Sequence, residues 1–242
     1  MLARGAILLL DQSNGQCYQD LPTAVKRQTM SANGEIDFWF TVGSTYTYLT
    51  VNRLNRVEVE TGVGFRWRPY NAREIMQEMN NVPFATKPIK LAYMWRDLQR
   101  RAALYGIPLN IPAPYPLGEF DLASRVAVLA ATEGWCPAYV RASYRRWFID
   151  GSPAGSEPNL SESLAEVGQD PARVVPLAKS DSVGIAFRSA TDEARRLGIF
   201  GAPTFVTRGE LFWGDDRLDD ALAWHAHGKL EPRRQGESLA AK

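Results

Sequence analysis

A run of aromatic and β-branched residues that leads directly into a helical pattern constrains the fold of this chain more than any other segment. Residues 38–42 (Phe-Trp-Phe-Thr-Val) are typical of a buried central strand that ends at Thr41 or Val42. Gly43 predicts a tight turn, and Ser44 is a favourable N-cap residue for the helix that follows. Residues suited to packing on a sheet then recur at steps of three and four, as on one face of a helix: Tyr46, Leu49, Thr50, Leu54 and Val57.

The position of Ser44 has two interpretations. It lies at a helix N-terminus just beyond the carboxyl end of a strand, where open α/β sheets usually bind their ligands. Such a terminus favours an anion, including a thiolate. A serine at this place can equally be a plain helix cap, which is its commoner role. The residue pattern alone leaves both interpretations open.

The rest of the pattern predicts a mixed α/β fold in which helices separate a β-α-β unit from a β-β-α unit. Residues 63–69 predict a second strand, parallel to the first because a helix connects the two. Helices are predicted over residues 72–79, 87–106, 120–133, 137–150, 160–167, 171–179 and 181–197. A hairpin of residues 204–207 and 211–213 follows, and residues 216–227 predict the last helix.

This order divides the chain into a core and an insertion. We expect residues 34–70 and 181–228 to form the α/β core, and residues 71–180 to form an inserted, all-helical domain. Residues 1–33 are interpreted as a disordered or mis-assigned leader, because the apolar residues 6–10 are far fewer than the ~20 of a membrane span and no cleavage site follows. Residues 229–242 predict a disordered tail.

Charge and cysteine content exclude several classes of function. The 242 residues include 28 Lys and Arg against 27 Asp and Glu, so electrostatics favours neither a nucleic acid nor an anionic membrane as partner. The two cysteines, Cys17 and Cys136, are far apart in the sequence and form no Cys-Xaa-Xaa-Cys motif. We therefore expect no disulfide framework and no thiol redox motif, and a cytoplasmic location. No group of His, Cys and Asp has the spacing of metal ligands.

A second motif, near the C-terminus, gives the sequence a family resemblance. Residues 198–206 are Gly-Ile-Phe-Gly-Ala-Pro-Thr-Phe-Val, and residues 212–218 are Phe-Trp-Gly-Asp-Asp-Arg-Leu. Together with the Ser-Thr-Tyr turn of residues 44–46, they resemble the 2-hydroxychromene-2-carboxylate isomerases and kappa-class glutathione transferases, over about residues 35–228. The resemblance implies a thioredoxin-like core (β-α-β … β-β-α) with an inserted helical domain, glutathione as cofactor, and a homodimer.

The first group of site residues that the resemblance implies surrounds the turn after the first strand. Ser44 would hydrogen-bond the glutathione sulfur and favour its thiolate, with Tyr46 beside it and Thr45 in place of the family's usual proline. Asn81 and Lys90 match positions that hold the tripeptide and the anion of the active site. From the residues alone, Asn81 would be a turn residue and Lys90 an exposed helix charge.

The second group lies in the C-terminal motif. Ala202 would offer its backbone groups to the cysteinyl backbone of glutathione, beside Pro203 with a cis peptide bond, and so extend the sheet edge. Asp216 would pair with the γ-glutamyl ammonium, and Asp215 or its backbone would help to bind the γ-glutamyl carboxylate. From the residues alone, both aspartates would simply cap the last helix.

The resemblance implies a glutathione-dependent cis–trans isomerase of aromatic catabolism, acting on 2-hydroxychromene-2-carboxylate or a related compound. Lys90 and Asn81 would then contact the substrate carboxylate and phenolate. Two alternatives stay open: a kappa-like transferase that conjugates glutathione to electrophiles, and a non-catalytic module that binds glutathione or a peptide. A disulfide oxidoreductase is not expected, because the nucleophilic cysteine pair is missing.

Overall fold

The computed structural model describes residues 34–81, 84 and 87–231, so the predicted leader (residues 1–33) and the tail beyond residue 231 lie outside the described residues. The strands and helices, in chain order, are β1 (Ile36–Phe40), α1 (Thr45–Thr61), β2 (Phe65–Pro69), α2 (Ala72–Glu78), α3 (Pro88–Tyr105), α4 (Phe120–Glu133), α5 (Cys136–Phe148), α6 (Asn159–Glu166), α7 (Pro171–Lys179), α8 (Asp181–Arg196), β3 (Thr204–Thr207), β4 (Glu210–Trp213) and α9 (Leu218–His227). The predicted order of elements is confirmed. Within this described part, no helix is long and apolar enough to cross a membrane.

The four strands form one mixed sheet in the order β2-β1-β3-β4. β1 pairs in parallel with β2, as expected of two strands joined by a helix. β1 also pairs antiparallel with β3, which continues into β4 through a hairpin. Trp39, near the end of β1, is opposite Thr204, the first residue of β3. The turn that carries Ser44 and the segment that carries Pro203 therefore meet at one end of the two central strands, where β1 ends and β3 begins.

Side chains of β1 alternate between two hydrophobic clusters, one on each face of the sheet. Phe38 and Phe40 belong to the larger cluster, where their rings stack with centroids 5.1 Å apart and both contact Trp67 edge-on. Trp39 belongs to the smaller cluster on the opposite face, where it packs edge-on against Tyr70. Because both faces are covered, residues 38–40 of the strand are consecutive apolar residues rather than an alternation of apolar and polar ones.

The helices of the insertion pack directly on this sheet. The larger cluster contains side chains of β1 and α1 together with side chains of α4, α5, α6 and α7. Tyr144 of α5 connects the insertion to the turn after β1, because its buried hydroxyl lies 3.0 Å from the Thr41 carbonyl oxygen and 2.9 Å from the Ser44 carbonyl oxygen. The insertion therefore supports the turn that positions Ser44. The exact boundary between core and insertion stays a prediction.

Several element boundaries differ by one or two residues from the sequence-based expectation, and two of these differences lie next to the Ser44 turn and to the two aspartates. β1 ends at Phe40, because the Thr41 carbonyl accepts hydrogen bonds from the Ser44 N–H (3.2 Å) and from Tyr144 instead of continuing the sheet. The last helix begins at Leu218 rather than residue 216, after a 3₁₀ turn over Asp215–Arg217. Neither aspartate side chain caps this helix, so the capping interpretation of Asp215 and Asp216 is wrong.

We expect the change Tyr144→Phe to lower the free energy of unfolding by about 1–3 kcal/mol, because it leaves two carbonyl oxygens without this buried donor. Tyr139→Phe is the matched control on the same helix: its hydroxyl is equally buried but has no hydrogen bond of normal geometry within the described residues. Urea denaturation measures both variants. Equal losses of stability would show that the hydroxyl of Tyr144 does not support the turn.

Candidate active site

A cavity of about 850 Å³ lies between the β1–α1 turn, helices α2 and α3, the segment before β3 and the β4–α9 connection. This volume is within the ~300–1,000 Å³ of typical small-molecule sites. All of the residues predicted from the sequence line it: Ser44, Thr45, Tyr46, Asn81, Lys90, Ala202, Pro203, Asp215 and Asp216. Their position in one cavity is therefore a finding, and their roles toward a ligand stay predictions.

The Ser44 hydroxyl is held at the N-terminus of α1 by two hydrogen bonds. Its oxygen accepts from the Thr47 N–H (3.3 Å), which makes Ser44 the N-cap of the 17-residue helix. Its proton is donated to the carbonyl oxygen of Ala202 (2.9 Å). The positive end of the helix lies at this oxygen, so the surroundings favour an anion there. The Ser44 hydroxyl thus caps α1 and points to the Ala202 segment at the same time.

Two glycines allow the walls of the cavity to approach closely. A Cβ atom on Gly43 would lie 2.8 Å from Cδ2 of Phe120, and a Cβ atom on Gly201 would lie 2.5 Å from Nε1 of Trp213. Any residue with a Cβ atom at either position would force the aromatic ring to shift, because both distances are shorter than a normal van der Waals contact. The glycines therefore bring Phe120 next to the Ser44 turn and Trp213 next to the Ala202 segment.

The segment before β3 is fixed from both sides. The Gly201 carbonyl accepts from the buried hydroxyl of Tyr70 (2.6 Å) and from Oγ1 of Thr204 (2.7 Å). The Pro203 carbonyl accepts from the Gly214 N–H (2.9 Å). The Ala202–Pro203 peptide bond is cis, as predicted. These contacts present the Ala202 backbone to the cavity in a defined orientation.

The hydroxyl groups of Thr45 and Tyr46 donate hydrogen bonds to side chains of α3 and not to Ser44. Thr45 is buried and donates to the Met94 sulfur (3.2 Å), so the residue that replaces the family's usual proline is accommodated inside the protein. The Tyr46 hydroxyl donates to the carboxylate of Asp97 (3.0 Å). Burial and the hydrogen bond to Asp97 raise the pKa of Tyr46 well above its ordinary value, so this phenol stays protonated.

Asn81 and Lys90 lie exposed at the rim of the cavity. The Asn81 N–H donates to the Met76 carbonyl (2.8 Å) at the end of α2, and Lys90 is in the first turn of α3. Neither side chain has a hydrogen-bond or ion-pair partner within residues 34–81, 84 and 87–231. Both side chains are therefore available to a ligand, although their local surroundings match a turn residue and an exposed helix charge.

Asp215 is buried and bound to α1. Its carboxylate accepts from Oγ1 of Thr50 (3.0 Å) and from Arg53 (3.2 Å), and the same guanidinium also donates to the Asp215 carbonyl (3.0 Å). Burial raises the pKa of Asp215, and the Arg53 charge opposes this shift. The side chain is thus directed to Arg53, and its charge is compensated. Of the two predicted binding modes, only the one through the Asp215 backbone agrees with this geometry.

Asp216, in contrast, is partly exposed at the cavity wall. It accepts from Arg217 (2.8 Å) and lies 3.6 Å from a guanidinium nitrogen of Arg101 on α3. Arg217 also donates to Asp220 (2.8 Å), so it connects Asp216 to the first turn of α9. An ammonium group of a ligand could reach Asp216 from the cavity by competing with these exposed contacts.

Several cavity residues of the insertion were missed from the sequence, because no local pattern shows which side chains of α2 and α3 face the core: Arg73 on α2, and Tyr93, Asp97 and Arg101 on α3. Phe200 and Trp213 form an exposed aromatic wall, with ring centroids 4.7 Å apart. Arg53 was missed as well, although the sequence holds a signal for it. It occurs four residues after Leu49, on the buried face of α1, where an arginine needs a buried partner.

We expect Arg53→Met to lower the free energy of unfolding by about 3–5 kcal/mol at neutral pH, because the Asp215 carboxylate stays buried without its partner. The loss depends on pH. Asp215 has a higher pKa in the folded than in the unfolded state. Such a carboxyl group adds most to the free energy of unfolding below its unfolded-state pKa of ~4, and this stabilisation disappears as the pH rises through the folded-state pKa. Urea denaturation at acid and at alkaline pH should therefore show a deficit that grows with pH.

Arg56→Met is the control for this change, since Arg56 lies exposed on the same helix. It should have little effect on stability at any pH. The double variant Arg53→Met/Asp215→Asn should recover much of the loss. A pH-independent deficit in Arg53→Met would contradict the role assigned to the pair.

Comparison with known proteins places this geometry in a family. A family model for the DSBA-like thioredoxin domain matches residues 35–223. The 2-hydroxychromene-2-carboxylate isomerase of Sphingobium xenophagum is 30% identical over 186 residues, which cover 76% of this chain and 94% of that protein. Glutathione S-transferase kappa 2 of Caenorhabditis elegans is 26% identical over 214 residues, which cover 83% of this chain and 95% of that protein.

A solved structure gives the same result. A selenomethionine 2-hydroxychromene-2-carboxylate isomerase superposes with a TM-score of 0.71 and 26% identity, covering 79% of this chain and 94% of that one. The fold predicted from the sequence, a thioredoxin-like core with inserted helices, is confirmed. The chain therefore belongs to the DSBA-like thioredoxin-domain family, in the group of 2-hydroxychromene-2-carboxylate isomerases and kappa-class glutathione transferases.

Proposed function

We propose that this protein is a glutathione-dependent cis–trans isomerase of 2-hydroxychromene-2-carboxylate or a related intermediate of aromatic catabolism. The observation that carries the proposal is the Ser44 hydroxyl, which caps α1 and points to the Ala202 carbonyl inside a cavity of about 850 Å³. The names of the similar proteins support both halves of it, an isomerase and a user of glutathione. A cytoplasmic location and a homodimer belong to the same proposal.

Glutathione binding would exchange hydrogen bonds at Ser44. The Ser44 oxygen accepts from Thr47, so its one proton is available either to the Ala202 carbonyl or to a ligand. We infer that the cysteinyl N–H of glutathione donates to the Ala202 carbonyl, as an added strand would at the sheet edge. The Ser44 hydroxyl then rotates and donates to the glutathione sulfur.

This hydrogen bond accounts for a thiolate at neutral pH. A free thiol has a pKa of ~8.5, and each unit of depression requires ~1.4 kcal/mol. A hydrogen bond to an anion contributes ~1.5–3 kcal/mol, and the helix terminus adds ~0.3–1 kcal/mol. Together they would lower the thiol pKa by about one to three units. A histidine base is therefore not required at the site.

The remaining predicted residues would hold the ends of the tripeptide. Asp216 is the carboxylate that an ammonium group can reach, and the backbone of Asp215 can bind the γ-glutamyl carboxylate. Asn81 and Lys90 are exposed at the rim, where they can contact glutathione or the second substrate. Binding would be electrostatic at both ends, with the sulfur placed between them at Ser44.

The reaction we propose is a reversible addition. Bound glutathione would supply a thiolate that adds reversibly to the conjugated carbon of the ring-opened substrate, with the electron pair of the double bond moving to the adjacent carbonyl. The former double bond would then be single and free to rotate. Elimination of the thiolate would re-form the double bond, release the trans product and regenerate glutathione. The protein contributes positioning and stabilisation of the thiolate.

We expect Ser44→Ala to raise the pKa of bound glutathione by about one to two units, since the hydrogen bond to the sulfur is lost. Ultraviolet absorbance of the thiolate, titrated with pH in the complex, measures this value. Ser44→Thr is the matched control, because it keeps a hydroxyl at the helix N-cap and should keep most of the shift. A wild-type complex whose thiol titrates like free glutathione would contradict the proposal.

Product analysis separates the isomerase from its alternatives. With 2-hydroxychromene-2-carboxylate as substrate, we expect the trans isomer to accumulate while the glutathione concentration stays constant. Accumulation of a conjugate with consumption of glutathione would instead identify a kappa-like transferase. A protein that binds glutathione without turnover, and without any change in Ser44→Ala, would be a binding module.

A further inference from the structure

Arg73 is a cation of the cavity that none of the roles above uses. It lies in the first turn of α2, and this turn is held firmly against α8. The Asn71 N–H donates to Oγ1 of Thr191 (3.0 Å), while the Asn71 side chain accepts from the Glu74 N–H (3.2 Å). Ala72, next to Arg73, is buried. The backbone that carries Arg73 is therefore fixed, as a precise binding group requires.

The guanidinium group of Arg73 is placed close to the Ser44 turn. Its Cζ atom lies 4.2 Å from the centre of the Phe120 ring. The same ring packs against Gly43, the residue directly before Ser44. A continuous set of contacts thus connects Arg73 through Phe120 to the turn that would hold the sulfur.

The acidic side chains of the cavity have cationic partners, whereas Arg73, like Lys90 at the rim, has no acidic partner within the described residues. Asp97 accepts from Arg100 (3.0 Å), Asp215 pairs with Arg53 and Asp216 pairs with Arg217. Arg73 makes one long hydrogen bond, 3.4 Å to the Leu117 carbonyl, and has no ion pair within the part of the chain that the structure describes. Most of its five N–H donors are therefore available to a ligand.

The surroundings of Arg73 favour a flat, largely apolar acid. Met76, Tyr115 and Phe120 line this part of the cavity and offer apolar surface and two aromatic rings. Burial raises the pKa of Tyr115 and the Arg73 charge opposes this shift, so the phenol is neutral and within electrostatic reach of the guanidinium. A planar guanidinium matches a carboxylate with two parallel hydrogen bonds, and an aromatic ring attached to that carboxylate can pack against Met76 and Tyr115.

From this geometry we propose that Arg73 binds the carboxylate of the second substrate and selects conjugated aromatic acids over their uncharged analogues. The inference rests on the proposed function, because it assigns the acid to the same cavity as glutathione. It leaves Lys90 and Asn81, at the rim, to the tripeptide and the phenolate. Arg73 would then hold the acid with its conjugated bond toward Ser44.

The test compares an aromatic acid with its ester in the absence of glutathione. trans-Cinnamate and methyl trans-cinnamate are the probes, and isothermal titration calorimetry measures their dissociation constants. We expect wild-type protein to bind the acid about 10- to 100-fold more tightly than the ester, from charge-assisted hydrogen bonds. Arg73→Met should abolish this preference, and Arg73→Lys should keep only part of it. Arg56→Met, which removes an exposed arginine of α1, should leave the preference unchanged.

Three outcomes would overturn the inference: equal affinity of the wild type for acid and ester, a preserved preference in Arg73→Met, or loss of the preference in Lys90→Gln instead. Should Arg73→Met fail to fold, Arg73→Gln decides in its place, because its amide can still donate to the Leu117 carbonyl. The same experiments distinguish failure of the glutathione mechanism from failure of the role assigned to Arg73. An acid preference without a shifted thiol pKa would remove the glutathione mechanism, and a shifted thiol pKa without an acid preference would remove only the role of Arg73.

Discussion

The Ser44 hydroxyl donates to the Ala202 carbonyl across a sequence separation of 158 residues, and the arrangement of the cavity depends on this contact. It can form because β1 and β3 are antiparallel neighbours, so that the end of one strand meets the beginning of the other. Tyr144 fixes the turn on the Ser44 side, and Tyr70 fixes the Gly201 carbonyl on the other side. Two buried hydroxyl groups from distant elements therefore set the distance between the two halves of the site.

The charged side chains of the site differ in how deeply they are buried. The Arg53–Asp215 pair is buried and compensated, and it connects α1 to the start of the 3₁₀ turn before α9. Asp216, next in the chain, is partly exposed and has only exposed partners. A buried carboxylate without Arg53 would be costly, whereas an exposed one can exchange its partners for those of a ligand. Neighbouring aspartates thus lie in different surroundings: Asp215 is buried against Arg53, and Asp216 is exposed at the cavity wall.

The sequence allowed the fold to be predicted where local signals agree. The aromatic run of β1, the serine cap of α1 and the proline before β3 each act through nearby residues, and the structure has all three features. The direction in which Arg73 or Asp97 points depends on how α2 and α3 pack on the core, and no local pattern contains that information. The inward orientation of Asp215 could not be predicted either, because the guanidinium that attracts it lies on another helix, 162 residues away in the sequence.

The sheet order also has a consequence for biosynthesis. β1 lies between β2 and β3, but β3 comes late in the chain, after helices α1–α8. Because the chain is synthesised from its N-terminus, one side of the β1 backbone has no strand to pair with until residues 204–207 of β3 have been made. Such long-range pairing slows folding and exposes nascent chains to aggregation. A chaperone that binds unpaired apolar strands would therefore act on this nascent chain after β2 has been made and before β3 is available.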